Sequence, residues 1–187
     1  MGVNAAVELL DPQRTALVVV DLQEKLVPAI DGGARVLANT RLLLHLARVL
    51  ELPVLVTTQY RRGLGDTVAE VRALLDEPAM DKTSFGCFGD AGFRARLREL
   101  GRDTLLVAGV ESHICVAQTV LGALADGRLV HVAADAVGSR TAANRAVGLA
   151  RMERAGAVVS SAEMAAYELL GRSDGPAFKA LLPHLRG

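Results

Sequence analysis

In the stretch Ala16-Leu-Val-Val-Val-Asp21, five apolar residues in a row end at a carboxylate, and this pattern gives the clearest indication of the fold. A run without polar alternation suits a strand that is buried on both faces of a parallel sheet. Four more apolar runs follow, at residues 53–57, 104–110, 129–134 and 157–160. These runs predict a parallel sheet whose first strand places Asp21 at its carboxyl edge.

Helical patterns of apolar residues separate these runs. They predict helices at residues 36–50, 91–100, 114–125, 141–155 and from Pro176 onward. Thr67 and Glu70 have the spacing of a capping box, which predicts a further helix start. Strands that alternate with helices imply right-handed crossovers and an open parallel sheet with helices on both faces.

The composition indicates one globular domain over residues 1–187. The formal net charge is zero, which argues against a nucleic-acid partner because binding to nucleic acid requires a basic surface. Aromatic residues make up 3% of the chain, too few for a base-stacking platform. We expect no membrane span, since no apolar run reaches about 18 residues.

Cysteine content and the first residues predict a cytoplasmic protein. Cys87 and Cys115 are the two cysteines, too few for a disulfide scaffold. Residues Met1–Leu10 lack the basic start and the long apolar run of a signal peptide. We therefore expect reduced thiols.

No metal and no cofactor are predicted. His45, His131 and His184 lack a second His or Cys at the short spacing of a metal site. The turn glycines Gly32-Gly33 and Gly63-x-Gly65 make neither a P-loop nor a dinucleotide fingerprint.

Asp21 is the first candidate for chemistry. In an open parallel sheet, ligands bind beyond the carboxyl ends of the strands, where Asp21, Gln59 and residues 111–115 are expected. A carboxylate at the end of a buried strand is poorly solvated and needs a partner. Asp21 can act as a general base or proton shuttle, or it can form an Asx turn or helix cap. The residues alone leave both interpretations open.

Cys115 lies just past a predicted strand, at the start of the predicted helix 114–125. The free N–H groups at a helix N-terminus stabilise a thiolate and can hold an oxyanion. Lys82, set among small and apolar residues, would lower the pKa of a neighbouring thiol by its charge. The alternatives are an inert buried cysteine and a surface lysine. Two further residues, His113 and Cys87, are interpreted as pocket-lining or structural, since closeness in sequence does not give catalytic geometry.

Three ordered motifs resemble those of the isochorismatase-like cysteine hydrolases. They are Ala16-Leu-Val-Val-Val-Asp21-Leu-Gln23, Asp81-Lys82-Thr-Ser-Phe85 and Gly109-Val-Glu-Ser-His-Ile-Cys115-Val. Two later stretches, Asp135-Ala-Val-Gly-Ser139-Arg140 and Gly156-Ala-Val-Val-Ser-Ser161, look like further landmarks of the family. The likeness runs from about Thr15 to the C-terminus. It implies a three-layer αβα sandwich with a mostly parallel, about six-stranded open sheet of Rossmann-like topology.

The subgroup that the chain resembles most comprises the isochorismatase-domain-containing and YcaC-like hydrolases. The stretch Thr58-Gln59-Tyr60-x-x-Gly63-Leu64-Gly65 carries this likeness, together with Glu168-Leu-Leu-Gly171 before Phe178-Lys179. The resemblance also implies a homo-oligomer, in which a neighbouring chain can help to close the pocket.

The resemblance implies a catalytic triad of Asp21, Lys82 and Cys115. Lys82 would support the thiolate, Asp21 would handle the proton, and Cys115 would attack a carbonyl carbon to give a thioester-type intermediate. The family also has a cis non-proline peptide, here Val110–Glu111. The N–H groups of Glu111 and Cys115 would then form the oxyanion hole. The implied substrate pocket comprises Leu22, Gln23, Gln59, Tyr60, Phe85 and His113.

Two departures narrow the implied reaction. Nicotinamidases of this superfamily carry an Asp-x-His…His metal site after the second strand. This chain reads Gln59-Tyr60-Arg61-Arg62 there and has no histidine, which argues against metal-assisted hydrolysis of nicotinamide. True isochorismatases cleave a vinyl ether and commonly lack the cysteine. The presence of Cys115 therefore favours the other reaction of the superfamily, hydrolysis of a C–N bond in a small amide. Two alternatives stay open. One is a vinyl-ether hydrolase in which Asp21 acts without covalent catalysis, and the other is a non-catalytic oligomeric binding protein of the same fold.

Overall fold

Six parallel strands form one sheet in the computed structural model, which describes residues 8–185. The strands are β1 (Thr15–Val20), β2 (Val54–Gln59), β3 (Met80–Lys82), β4 (Thr104–Val110), β5 (Leu129–Gly138) and β6 (Val158–Ser160). They lie in the order β3-β2-β1-β4-β5-β6. Most of the stretch Met1–Leu10, where we expect no signal peptide, lies outside the described residues.

Helices cover both faces of the sheet. They are α1 (Gly33–Leu50), α2 (Arg61–Leu64), α3 (Ala69–Arg72), α4 (Ala91–Leu100), α5 (Ala117–Ala125), α6 (Ala142–Arg154), α7 (Ala162–Leu170) and α8 (Pro176–Leu185). A π-helical turn, Ser112–Val116, precedes α5. Between residues 8 and 185, no helix has the length and apolar character that crossing a membrane requires.

The first strand shows why the apolar run lacks polar alternation. Leu17 and Val19 belong to the core on the side of α1, α7 and α8. Ala16, Val18 and Val20 belong to the core on the side of α4, α5 and α6. Successive strand side chains point to opposite faces, so a strand covered on both faces must be apolar throughout. The predicted three-layer αβα sandwich is confirmed.

One strand and two helix starts differ from the sequence pattern. The short edge strand β3 reads Met-Asp-Lys and buries only Lys82, so it leaves no apolar run. The capping box at Thr67 and Glu70 is wrong, because α3 begins after Val68 and no side chain caps it. Thr67 is buried instead, in an antiparallel bridge to Gln23. The helix predicted at 114–125 begins earlier, as the π-helical turn.

Gly109 brings the carboxyl ends of β1 and β4 together. Its φ of 117° lies in a region that L side chains rarely adopt. A Cβ atom at Gly109 would lie 2.1 Å from the Val20 carbonyl oxygen. Because only a glycine permits this approach, Asp21 after β1 and the loop after β4 become neighbours.

We predict that Gly109→Ala lowers the free energy of unfolding by about 3 kcal/mol, through backbone strain and overpacking together. Gly127→Ala is the matched control, since Gly127 also has a positive φ, 79°, but nothing lies within 4 Å of the added Cβ. Its expected cost is about 1 kcal/mol. Urea titration of both variants measures the difference, and equal losses would contradict the steric role of Gly109.

Candidate active site

The carboxyl edge of the sheet gathers the three residues of the predicted triad. Asp21 follows β1, and Lys82 is the last residue of β3. Cys115 lies in the π-helical turn after β4. Strand β2 pairs with both β1 and β3, so a single strand separates the two that position Asp21 and Lys82.

Lys82 and Asp21 form a buried ion pair. The Lys82 Nζ lies 2.7 Å from Asp21 Oδ2, and the side chains are 1% and 0% exposed. The same ammonium donates to Gln59 Oε1 at 2.8 Å and to the carbonyl oxygens of Phe85 at 3.0 Å and Ser84 at 3.3 Å. Burial of a charged pair is tolerated where further hydrogen bonds satisfy it. Lys82 is therefore not a surface lysine.

The second carboxylate oxygen of Asp21 also has a donor. The hydroxyl of Thr57 donates to Asp21 Oδ1 at 2.8 Å, and the Asp21 N–H donates to the Thr57 carbonyl at 3.1 Å. Asp21 has a φ of 52°, an uncommon conformation for a residue other than glycine. The Asp21 carboxylate thus accepts hydrogen bonds from Lys82 and Thr57, and the interpretation of Asp21 as an Asx turn or helix cap is wrong.

The π-helical turn, residues Ser112–Val116, is held in place by two groups that the sequence did not indicate. The Thr119 hydroxyl donates to the Cys115 carbonyl at 2.7 Å. Gly148 of α6 packs so closely that a Cβ there would lie 2.7 Å from the Ser112 carbonyl oxygen. A glycine inside a helix costs stability relative to alanine, and this was the available signal for Gly148. π-Helical turns recur at functional sites.

The thiol of Cys115 does not have the lowered pKa that the sequence analysis predicted. Burial and the negative charge of Asp21 raise the pKa of Cys115 to about 12, although the positive charge of Lys82 lowers it. The physical reason is that a thiolate loses its hydration in a site where the thiol is 7% exposed. Cys115 therefore holds its proton at neutral pH.

Two residues of the predicted pocket have structural roles instead. Leu22 is 1% exposed and packs in the core beside α1. Gln23 is fully buried; its Oε1 accepts from the Gln59 N–H at 2.7 Å, and its Nε2 donates to the Gly65 carbonyl at 2.8 Å. These two side chains support β2 and the loop after it, and they do not line an open surface.

Of the other predicted pocket residues, Gln59 through its side chain and Phe85 through its carbonyl contact the ion pair. Gln59 Oε1 accepts a hydrogen bond from the Lys82 ammonium, and Gln59 Nε2 donates one to the Thr83 carbonyl at 2.9 Å. The loops after β2 and β3 expose two aromatic side chains, Tyr60 at 52% and Phe85 at 55%.

The loop after β4 is tied to the residues that follow β5. His113 Nδ1 lies 3.0 Å from Ser139 Oγ. Glu111 Oε2 accepts from Arg140 Nε at 3.1 Å and from the Arg140 N–H at 3.0 Å. The peptide bond between Val110 and Glu111 is cis. The backbone of Glu111 thus lies between the end of β4 and the π-helical turn.

Cys87 is packed and links the two halves of the site. Its N–H donates to Thr119 Oγ1 at 3.0 Å, and its Sγ lies 3.8 Å from Thr57 Oγ1. Burial raises the pKa of Cys87 to about 11, so it too holds its proton. Both cysteines are free. Within residues 8–185, no group of three or more His, Cys, Asp or Glu side chains is arranged to hold a metal ion.

Comparison with known proteins identifies the family. The model of the isochorismatase domain matches residues 15–164. Isochorismatase domain-containing protein 1 of Salmo salar is 36% identical over 92% of this chain, and the match covers 61% of that protein. The chain thus spans about three fifths of the length of this relative. The secreted isochorismatase effector Isc1 of Phytophthora sojae (strain P6497) is also 36% identical, over 92% of this chain and 84% of its own length.

Solved structures share the whole architecture. The MAR1 ribonuclease of Caenorhabditis elegans superposes with a TM-score of 0.90 at 35% identity, covering 96% of this chain and 93% of its own. YcaC from Pseudomonas aeruginosa, solved with hexane-2,5-diol and covalent acrylamide, has a TM-score of 0.89 at 28% identity, with coverages of 95% and 92%. YcaC of Escherichia coli, described as an octameric hydrolase of unknown specificity, has a TM-score of 0.87 at 27% identity, with coverages of 95% and 93%. The chain therefore belongs to the isochorismatase family and lies close to its YcaC-like members.

Proposed function

We propose that the protein is a cysteine hydrolase that cleaves the C–N bond of a small amide, with Asp21, Lys82 and Cys115 as its catalytic triad. Membership in the isochorismatase family supports a hydrolase. The observation that carries the finer proposal is the buried ion pair of Lys82 and Asp21, whose charges both act on the Cys115 thiol. A nucleophile and a base held together in a water-poor site are what covalent catalysis requires.

The first step is attack with proton transfer. Because Cys115 rests as a thiol, its proton passes to Asp21 as Sγ bonds to the carbonyl carbon. The carbonyl π electrons move to the oxygen, which becomes an oxyanion. Lys82 keeps its ammonium on Asp21 Oδ2 and, once the carboxylate has taken the proton, supplies the positive charge that balances the oxyanion.

The oxyanion would be held by the backbone N–H groups of Glu111 and Cys115. The Glu111 carbonyl is occupied, since it accepts from the N–H groups of Ile114 and Val116. The Glu111 N–H has no acceptor among residues 8–185, which leaves it free for a substrate oxygen.

The second step releases the amine. The oxyanion collapses, the C–N bond breaks, and the nitrogen takes the proton from Asp21, which leaves a thioester on Cys115. Water then attacks the thioester carbon and gives one proton to Asp21. The acid departs as the C–S bond breaks, and the sulfur recovers the proton from Asp21.

The proposed substrate is a small molecule with an apolar or planar part. Tyr60 and Phe85 are exposed beside the site and offer aromatic contacts, while Gln59 and His113 offer polar ones. RNA is not the proposed substrate, although several structural neighbours carry the name ribonuclease. The net charge of zero gives no general attraction to a phosphate backbone.

A homo-oligomer and a cytoplasmic location complete the proposal. The octameric YcaC of Escherichia coli supports assembly, as do the exposed apolar side chains Val147, Met164 and Tyr167 on α6 and α7. Two free cysteines suit a reducing compartment. One relative is a secreted effector by name, so a secreted location is the alternative.

The direct test of the nucleophile uses acrylamide, a small amide that alkylates thiols. We expect one adduct per chain by intact mass, located on Cys115 by peptide mass, and ammonia release from a panel of small primary amides. Cys115→Ser should abolish both, and Cys87→Ser is the matched control that should keep both.

Two outcomes would contradict the proposal. Ammonia release that survives in Cys115→Ala would favour hydrolysis without covalent catalysis, as in the vinyl-ether alternative. RNA cleavage that requires Cys115, without turnover of any amide, would exclude the small-amide proposal.

The charges around the thiol make a second prediction. Removing the carboxylate in Asp21→Asn should lower the pKa of Cys115 below about 12, because a negative charge disfavours the thiolate. Removing the ammonium in Lys82→Met should raise it. The absorbance of the thiolate, measured against pH, gives both shifts. The Cys115→Ser variant supplies the contribution of Cys87, which is subtracted. Asp21→Asn should nevertheless slow amide turnover about a hundredfold or more, since the proton acceptor is lost.

A wild-type Cys115 that titrates below the ordinary thiol value of about 8.5 would contradict this charge balance. The attack would then proceed from a resting thiolate, without proton transfer to Asp21.

A further inference from the structure

We propose that Thr57 is a positioning residue of this site, whose hydroxyl fixes the Asp21 carboxylate and offsets part of its charge toward Cys115. The inference rests on the proposed roles of Asp21 and Cys115, and it adds a residue that none of the sequence motifs contains. Thr57 is fully buried in β2, the strand between the one that precedes Asp21 and the one that ends at Lys82.

The hydrogen bonds leave one arrangement for the Thr57 hydroxyl. A hydroxyl has a single proton, and Thr57 donates it to Asp21 Oδ1 at 2.8 Å. Asp21 Oδ2 meanwhile receives the Lys82 ammonium at 2.7 Å. With a donor on each oxygen, the carboxylate cannot turn about its Cβ–Cγ bond without losing one of them.

The direction of the Thr57 hydroxyl determines in turn the role of Cys87. The sulfur lies 3.8 Å from Thr57 Oγ1, and Thr57 has already given its proton to Asp21. Cys87 must then be the donor, through a weak S–H···O bond. The raised pKa of Cys87, about 11, agrees with a thiol that keeps its proton. This chain of donors, from Cys87 to Thr57 to Asp21, gives the packed thiol a place in the site.

The consequence reaches Cys115 through charge. Asp21 disfavours the Cys115 thiolate, and a hydroxyl dipole on Oδ1 weakens that effect. Without the hydroxyl, the full charge of the carboxylate acts on the thiol. Fewer Cys115 side chains are then ionised at a given pH, and one pKa unit corresponds to about a tenfold loss of thiolate.

The neighbouring threonine provides a matched control. Thr58 is also fully buried and follows Thr57 in β2, so its side chain points to the opposite face of the sheet. Its hydroxyl also donates to a carboxylate oxygen, Asp81 Oδ1, at 3.1 Å. Thr57→Val and Thr58→Val therefore remove the same kind of hydrogen bond from the same strand, and only the first belongs to the site.

The experiment measures the rate at which iodoacetamide labels Cys115 at a fixed pH of about 8, near the ordinary thiol pKa. Peptide mass separates Cys115 from Cys87, and melting curves confirm that each variant is folded. Thr57→Val should label about tenfold more slowly than wild type, and Thr57→Ser and Thr58→Val should label within about twofold of it. If Thr57→Val does not fold, Thr57→Ala against Thr57→Ser gives the same comparison, since the two differ only by the hydroxyl.

Making the same substitution in the Asp21→Asn variant separates a positioning role of Thr57 from a general loss of structure. Asp21→Asn should label faster than wild type, because the restraining charge is gone. Adding Thr57→Val to Asp21→Asn should then change the rate by less than about twofold. A loss of the same size in both backgrounds would overturn the inference, as would a wild-type rate in Thr57→Val alone.

The same data separate this inference from the proposed function. If Asp21→Asn labels at the wild-type rate, the coupling of Asp21 to Cys115 fails, and the proposed proton transfer fails with it. If Asp21→Asn labels faster while Thr57→Val does not differ from wild type, only the role of Thr57 fails.

Discussion

The buried ion pair between Lys82 and Asp21 is the interaction on which the rest of the site depends. Two charges without solvent cost several kcal/mol each, so the surrounding structure must supply close contact and further donors and acceptors. Three adjacent strands provide these partners. The end of β1 turns at Asp21, β2 contributes Thr57 and Gln59, and β3 ends at Lys82. The pairing register of β1, β2 and β3 therefore determines how these side chains are positioned in the site.

Much of the architecture could be predicted from residues that are local in sequence. The run 16–20 is apolar because both of its faces are covered, and that requirement is visible without a structure. The strand that carries Lys82 was not visible, because three residues with one buried side chain make no pattern. The family resemblance placed Asp21 and Lys82 in one site, and these two side chains form the buried ion pair. The contacts of Thr57 and Gly148 could not be predicted, since they join residues distant in sequence, although a glycine inside a predicted helix marked Gly148 as unusual.

The thiol pKa shows where reasoning from a single element fails. A helix N-terminus and a nearby lysine both favour a thiolate, and the sequence suggested both for Cys115. The structure adds burial and the Asp21 carboxylate, and together they prevail. Proton transfer must then accompany attack, which assigns Asp21 a role in every step of the proposed reaction. An acid–base partner held by Lys82 and Thr57 is well suited to that role.

The most direct test of this account is a double-variant cycle on the ion pair, measured as the free energy of unfolding in urea. Lys82→Met and Asp21→Asn should each cost about 3–5 kcal/mol, because each strands its partner without a counter-charge in the core. The double variant should cost less than the sum by at least about 1 kcal/mol, since it removes both charges. Losses that simply add would contradict the account, because the two side chains would then contribute to the fold independently.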